Sequence, residues 1–150
     1  MNVRRVLVLH GPNLNLLGER EPEIYGTMTL AKLNRLIRAE AKRLKLTVRI
    51  VQSNGEGALI DCLHKNRRWA QAVVINPGAY THYSYALHDA VAGVNLPAVE
   101  VHLSDIRKRE AWRRRSVVAP ACRKQIMGKG AGSYLEALRY LARLKLPDGR

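Results

Sequence analysis

Only two cysteines, Cys62 and Cys122, occur in the 150 residues, and no apolar run approaches the length of a membrane span. The first scarcity argues against a disulfide scaffold. With no second pair of sulfur or imidazole ligands at metal spacing, it argues against a zinc site as well, so both cysteines read as buried or half-buried free thiols. The second absence argues against a transmembrane protein, and the N-terminal apolar segment Val6–Leu9 is too short for a convincing secretion signal, so a cytoplasmic protein is expected. Internal repeats, low-complexity tracts and linkers are lacking too. One domain over residues 1–150 is expected, with only the tail Pro147–Arg150 dispensable. Acidic residues are also scarce: 12 Asp and Glu stand against 26 Lys and Arg, a formal charge of +14. Such a charge suits a nucleic-acid binder, and it also suits an enzyme for a small anion. Charge names no partner, so the arrangement of residues has to decide.

A hydrophobic content of 47% supports a globular core, and its pattern alternates in type along the chain. Val6-Leu7-Val8-Leu9 is a continuous β-favouring run, as in a strand buried on both faces. Thr29 can cap a helix in which Leu30, Leu33, Leu36, Ile37, Ala41 and Leu44 recur near helical spacing. Thr47–Gln52 is a second strand whose alternation of Val48 and Ile50 with Arg49 and Val51 suggests an edge position. Ala58–Leu63, extended to Trp69, makes a second helical stretch. Ala72–Asn76 is a third strand, Tyr85–Val94 a third helix and Ala98–His102 a fourth strand. Arg123–Met127 is a weaker fifth strand, and Tyr134–Leu144 closes the chain as a helix. Strands alternating with helices call for a parallel sheet, and right-handed crossovers restrict its topology to few choices. The expectation is α/β: a five-stranded flavodoxin-like parallel sheet with helices on both faces.

Open parallel sheets bind ligands beyond the carboxyl ends of their strands. Polar residues gather there: Asn13 and Asn15 after strand one, Gln52-Ser53-Asn54 after strand two, Asn76 after strand three, and Glu100, His102 and Ser104 at strand four. Glu100 and His102 are two apart and share a face. A carboxylate on a central strand is costly to bury alone, and imidazole is the partner on offer, either as an acid oriented for chemistry or as a structural pair at a sheet end. The connection from His10 to Gly26 is longer than the usual 2–6 residues and carries Arg20 and Tyr25 between glycines. A guanidinium beside a phenol favours phenolate, a usable base; the plainer alternative is a Tyr that packs its loop down. His82 precedes a helix, while His10, His64 and His88 read as structural or solvated. The run Arg107–Arg109 with Arg113–Arg115 reads as a solvated face or nucleic-acid patch, with Trp112 its one aromatic and no stacking platform evident. One of its arginines could instead clamp a carboxylate. Gly128, Gly130 and Gly132 fit neither a dinucleotide fingerprint nor a phosphate loop.

Taken together, the motifs His10-Gly-Pro-Asn-Leu-Asn-Leu-Leu-Gly18, Arg20-Glu-Pro-x-x-Tyr25-Gly, Gln52-Ser-Asn-x-Glu-Gly57, Ile75-Asn-Pro-Gly-Ala-Tyr-Thr-His82 and Glu100-Val-His-Leu-Ser104 strongly resemble type II 3-dehydroquinate dehydratases. The resemblance covers nearly the whole chain. It implies a flavodoxin-like hydro-lyase that needs no cofactor and no metal, acts on 3-dehydroquinate and assembles as a homo-oligomer, a dodecamer of four trimers. Carried over residue by residue, it implies Tyr25 as base with Arg20 favouring its phenolate, Asn13 holding a water on the enolate, and His102 as acid with Glu100 behind it. Asn76, His82, Leu103 through its backbone, Ser104 and Arg113 are implied as substrate ligands, and Asp89 as a substrate-binding residue contributed at a subunit interface. Asp105, His88 and Lys124 depart from the residue types common in that family, at none of these positions. A basic nucleic-acid-binding module on the same scaffold is the alternative, disfavoured by the motifs, and no membrane association is expected.

Overall fold

The structure, a computed structural model, describes residues 1–19, 23 and 27–147. Five parallel strands form one sheet: β1 (Arg5–His10), β2 (Thr47–Gln52), β3 (Ala72–Asn76), β4 (Ala98–Val101) and β5 (Lys124–Ile126), in the order β2-β1-β3-β4-β5. Among the described residues four α-helices connect or follow them: α1 (Leu30–Arg43), α2 (Glu56–Asn66), α3 (Tyr85–Val94) and α4 (Ala131–Ala142). This is the flavodoxin-like arrangement expected from the pattern of apolar residues.

Period-two alternation splits the sheet into two cores. Val6 and Val8 of β1, Val74 of β3 and Val99 and Val101 of β4 face one side, where Leu33 and Ile37 of α1 and Tyr134, Leu138 and Leu141 of α4 cover them. Leu7, Leu9, Val73 and Ile75 face the other side against Leu59 and Leu63 of α2 and Leu87 and Val91 of α3. All five residues of β3 are buried, whereas β2 at the edge has none fully buried, its first four residues alternating exposed and half-buried, as its mixed sequence suggests. Helix ends use local chemistry. The Thr29 side chain accepts from Lys32 N–H at 3.2 Å, Ser84 accepts from Leu87 N–H at 3.0 Å, and Asn95 ends α3 in the left-handed conformation.

Several boundaries differ from the sequence reading; β5, read as Arg123–Met127, spans only Lys124–Ile126. Helix α2 stops at Asn66, and Trp69 lies beyond it in a turn, where the Arg49 guanidinium stacks 4.0 Å from its ring centre. Apolar spacing alone had carried the helix across that turn. Strand β4 ends at Val101, although His102 N–H still donates to Ile126 O at 3.0 Å, so the ladder geometry holds His102 in register. Helix α4 begins at Ala131, three residues before its first large apolar side chain.

The strand order reverses direction at β1 and β3, so the loops leaving these neighbours diverge and open a crevice. At its floor the two loops touch. Gly11 N–H donates to Asn76 O at 2.7 Å, and a Cβ on Gly11 would lie 2.6 Å from the Pro77 carbonyl, so only glycine lets the chains cross. Gly78 sits at φ +58 against Pro12 for the same reason.

Candidate active site

A cavity opens over this crossing, lined by Asn13, Asn76, His82, His102, Ser104 and Arg113. Arg109 and Leu103 also border it, and Pro12, Leu14, Leu17 and Ile106 give it an apolar side. It encloses about 110 Å³. A single water occupies roughly 10–15 Å³ by the same kind of measure, so one small polar molecule fits. Asn13 is reached through a backbone turn at φ 69, and its N–H donates to Asn54 Oδ1 at 3.0 Å, which ties the β1 loop to the end of β2.

Behind the cavity lies Glu100, which is fully buried. His102 Nε2 donates to Glu100 Oε2 at 2.9 Å, so the nitrogen left for the cavity is Nδ1. The hydroxyls of Thr81 and Ser116 donate to Oε1 at 2.9 and 2.7 Å, and the Gln125 amide donates to Oε2. Burial pushes the Glu100 pKa up. The hydrogen bond and charge of His102, with the hydrogen bonds of Ser116 and Gln125, outweigh it and hold the carboxyl below its ordinary value. Four donors on one acceptor-only group make a buried carboxylate tolerable.

His82 ends a 3₁₀ turn (Gly78–His82), and its Nδ1–H donates to the Arg115 carbonyl at 2.7 Å. Burial lowers its pKa against that bond, with His102 and Arg113 nearby adding to the fall, so Nε2 is left as an acceptor at neutral pH. The Trp112 ring meets His82 edge-on at 5.3 Å and carries the Arg113 guanidinium at 4.0 Å from its centre. The Trp112 ring, in the short turn Ala111–Arg113, thus serves its own neighbours: its face carries Arg113 and it packs against His82. The run is not a uniformly solvated face. Arg107 pairs with Asp105 at 3.1 Å, Arg113 with Glu110 at 2.8 Å, Arg109 donates to Ser104 Oγ at 3.3 Å, and Arg115 donates to Tyr85 OH at 3.2 Å.

The structure thus brings Asn13, Asn76, His82, His102, Leu103, Ser104 and Arg113 around one cavity, with Glu100 behind His102. Asp89 is exposed on α3 and does not line the cavity. Arg20 and Tyr25 lie outside the described residues. Arg109, missed as an individual, was signalled only as one of several arginines. Thr81, Ser116 and Gln125 were missed because their partner, Glu100, is 16 to 25 residues away in sequence. A second buried system lies beneath Asn76: His10 Nδ1 accepts from Tyr134 OH at 2.9 Å, and His10 Nε2 donates to Asn34 Oδ1 at 2.8 Å. Burial lowers the His10 pKa to about 4, against the Asn34 bond that raises it.

A buried carboxylate–imidazole pair opening on a crevice rimmed with arginine, at the switch point of a parallel sheet, defines an α/β enzyme with acid–base groups at a small-molecule cavity. The family model described as dehydroquinase class II matches residues 4–142. A 3-dehydroquinate dehydratase of Halothermothrix orenii is 52% identical over 142 residues, 95% of this chain and 96% of that one. One of Dictyoglomus turgidum is 56% identical over 134 residues, 89% and 92% of the two chains. The crystal structure of type II dehydroquinase from Butyrivibrio crossotus superposes with a TM-score of 0.91 at 43% identity, covering 93% of this chain and 97% of that one. The chain belongs to the class II dehydroquinase family.

Proposed function

We propose that this protein is a type II 3-dehydroquinate dehydratase, a hydro-lyase that converts 3-dehydroquinate to 3-dehydroshikimate and water by anti elimination through an enolate, in the shikimate pathway of aromatic amino acid biosynthesis. The observation that carries the reading is the Glu100–His102 pair facing a cavity bordered by Arg113, together with family membership over nearly the whole chain. In this mechanism the Tyr25 phenolate, favoured by Arg20, takes the proton from the carbon beside the ketone, and the C–H electrons become the enolate. Asn13 steadies the enolate oxygen through a water. The enolate then reforms the ketone and a carbon–carbon double bond as the β-hydroxyl departs. His102 protonates that hydroxyl, so it leaves as water.

Glu100 orients His102 and balances its charge. Arg113 and the Ser104 region, with Leu103 through its backbone N–H, grip the substrate carboxylate, while Asn76 and His82 hold ring hydroxyls. Asp89, exposed on α3, contributes at a subunit interface of a homo-oligomer, a dodecamer built from trimers, in the cytoplasm. No cofactor is needed for this chemistry, because a ketone already acidifies the neighbouring carbon. Among the described residues no helix is long and apolar enough to cross a membrane. The test is the rise in absorbance of the conjugated product when 3-dehydroquinate is added. Turnover is expected, and folded protein with none would end the reading.

A further inference from the structure

Glu100 and Gln125 are register partners across β4 and β5, so their side chains stand next to each other on one face of the sheet. The Gln125 amide donates to Glu100 Oε2, the same oxygen that takes the His102 Nε2 proton. The other oxygen is occupied by Thr81 and Ser116. Among the described residues every donor to Glu100 except His102 is neutral, and Gln125 alone shares one oxygen with His102. We propose that Gln125 is a positioning residue for the acid–base pair: it divides Glu100 Oε2 with His102, fixing the carboxylate plane and limiting its hold on the imidazole. This rests on the dehydratase reading of the site. Gln125 does not line the cavity and touches no substrate; it acts through Glu100.

The geometry explains why the donor is an amide. Glu100 is fully buried on a strand between β3 and β5, and the β5 side of Oε2 has no other hydrogen-bond donor among the described residues. An apolar residue at 125 would leave a carboxylate lone pair unmet, and Oε2 would then swing fully onto His102. A carboxylate there would repel Glu100 unless it carried a proton. Among the described residues the titratable groups facing Glu100 are His102, one residue past the end of its strand, His82 from the turn Gly78–His82, and Cys122 from the segment entering β5. The Cys122 thiol is pushed up to about 12 by burial and by the Glu100 charge, so it stays neutral throughout the working range.

Two substitutions separate positioning from mere packing. Gln125→Leu keeps the side-chain size and removes the donor, and kcat for 3-dehydroquinate is expected to fall about tenfold with KM within about twofold, as loss of a charge-assisted hydrogen bond would give. Gln125→Glu donates only while protonated. Its kcat relative to wild type is therefore expected to be nearest unity at the acid end of the profile and to fall as pH rises. A purely structural residue would give a ratio independent of pH. Unchanged kcat in Gln125→Leu, or a flat ratio for Gln125→Glu in the folded variant, overturns the proposal. If the wild-type protein fails to turn over 3-dehydroquinate, the dehydratase reading falls instead. The Gln125 assignment is then decided by carbon NMR titration of the Glu100 carboxyl, which must move to higher pH in Gln125→Leu. An unmoved titration overturns it there.

Discussion

His102 Nε2 and Glu100 Oε2 lie 2.9 Å apart at the end of β4, one residue between them and both side chains on the same face. The ring is thereby held with Nδ1 toward the cavity and Nε2 committed as donor. If His102 is the acid, His102→Ala lowers kcat by roughly 10²–10⁴-fold with the fold retained. Glu100→Gln lowers it as well, because an amide cannot accept from four donors. Steady-state kinetics with circular dichroism of both variants check this, and normal kcat in His102→Ala would refute the assignment.

Tyr25→Phe is expected to lose most of the rate while binding and folding persist, since it removes only the phenolic oxygen that is proposed to take the proton. Arg20→Ala should lower the rate too, by withdrawing the cation that favours phenolate. Single-turnover proton exchange at the carbon beside the ketone distinguishes a lost base from a lost acid: Tyr25→Phe abolishes exchange, whereas His102→Ala retains it.

Arg113→Lys keeps the charge but gives up the planar fork and the stack on Trp112, 4.0 Å away. KM is expected to rise about tenfold, with a smaller change in kcat, as for loss of a bidentate carboxylate contact. A KM within twofold of wild type would remove Arg113 from the carboxylate grip.

His10 couples folding to pH. Its pKa falls from 6.5 to about 4 on folding, so the unfolded chain binds the extra proton between these values. The stabilisation from keeping His10 neutral is therefore fully present above about pH 6.5 and is lost as pH falls toward 4. Its size is on the order of 3 kcal/mol. Glu100, whose carboxyl is held low, adds a loss of the same sign at the acid end. Urea denaturation across this window should show the decline, and His10→Gln should flatten it between pH 6.5 and 4.

Substitution of Gly11 by Ala is expected to destabilise the crossing of the β1 and β3 loops, because the new Cβ meets the Pro77 carbonyl at 2.6 Å, backbone that cannot rotate away. The loss should appear both in melting temperature and in kcat/KM, since Asn76 moves with that loop. A variant matching wild type in both would show that the loops can separate without consequence.

Apolar patterning along the chain was enough for the local and periodic part of the fold. Val6–Leu9 and Ala72–Asn76 could be read as central strands because burial on both faces keeps them apolar up to Asn76 at the rim, and Thr47–Gln52 as an edge because one face stays wet. The motifs around Asn13, Asn76, His82 and His102 marked the rim in the same way, since residues at strand ends share one side of a parallel sheet. Which side chains become partners emerges only from packing in three dimensions. Thr81, Ser116 and Gln125 converge on Glu100 from three separate segments, Arg109 folds back on the cavity, Trp112 packs against His82, and His10 finds Tyr134 across 124 residues. Such contacts leave no periodic trace, because a buried charge or imidazole requires donors in space and accepts them from anywhere along the chain.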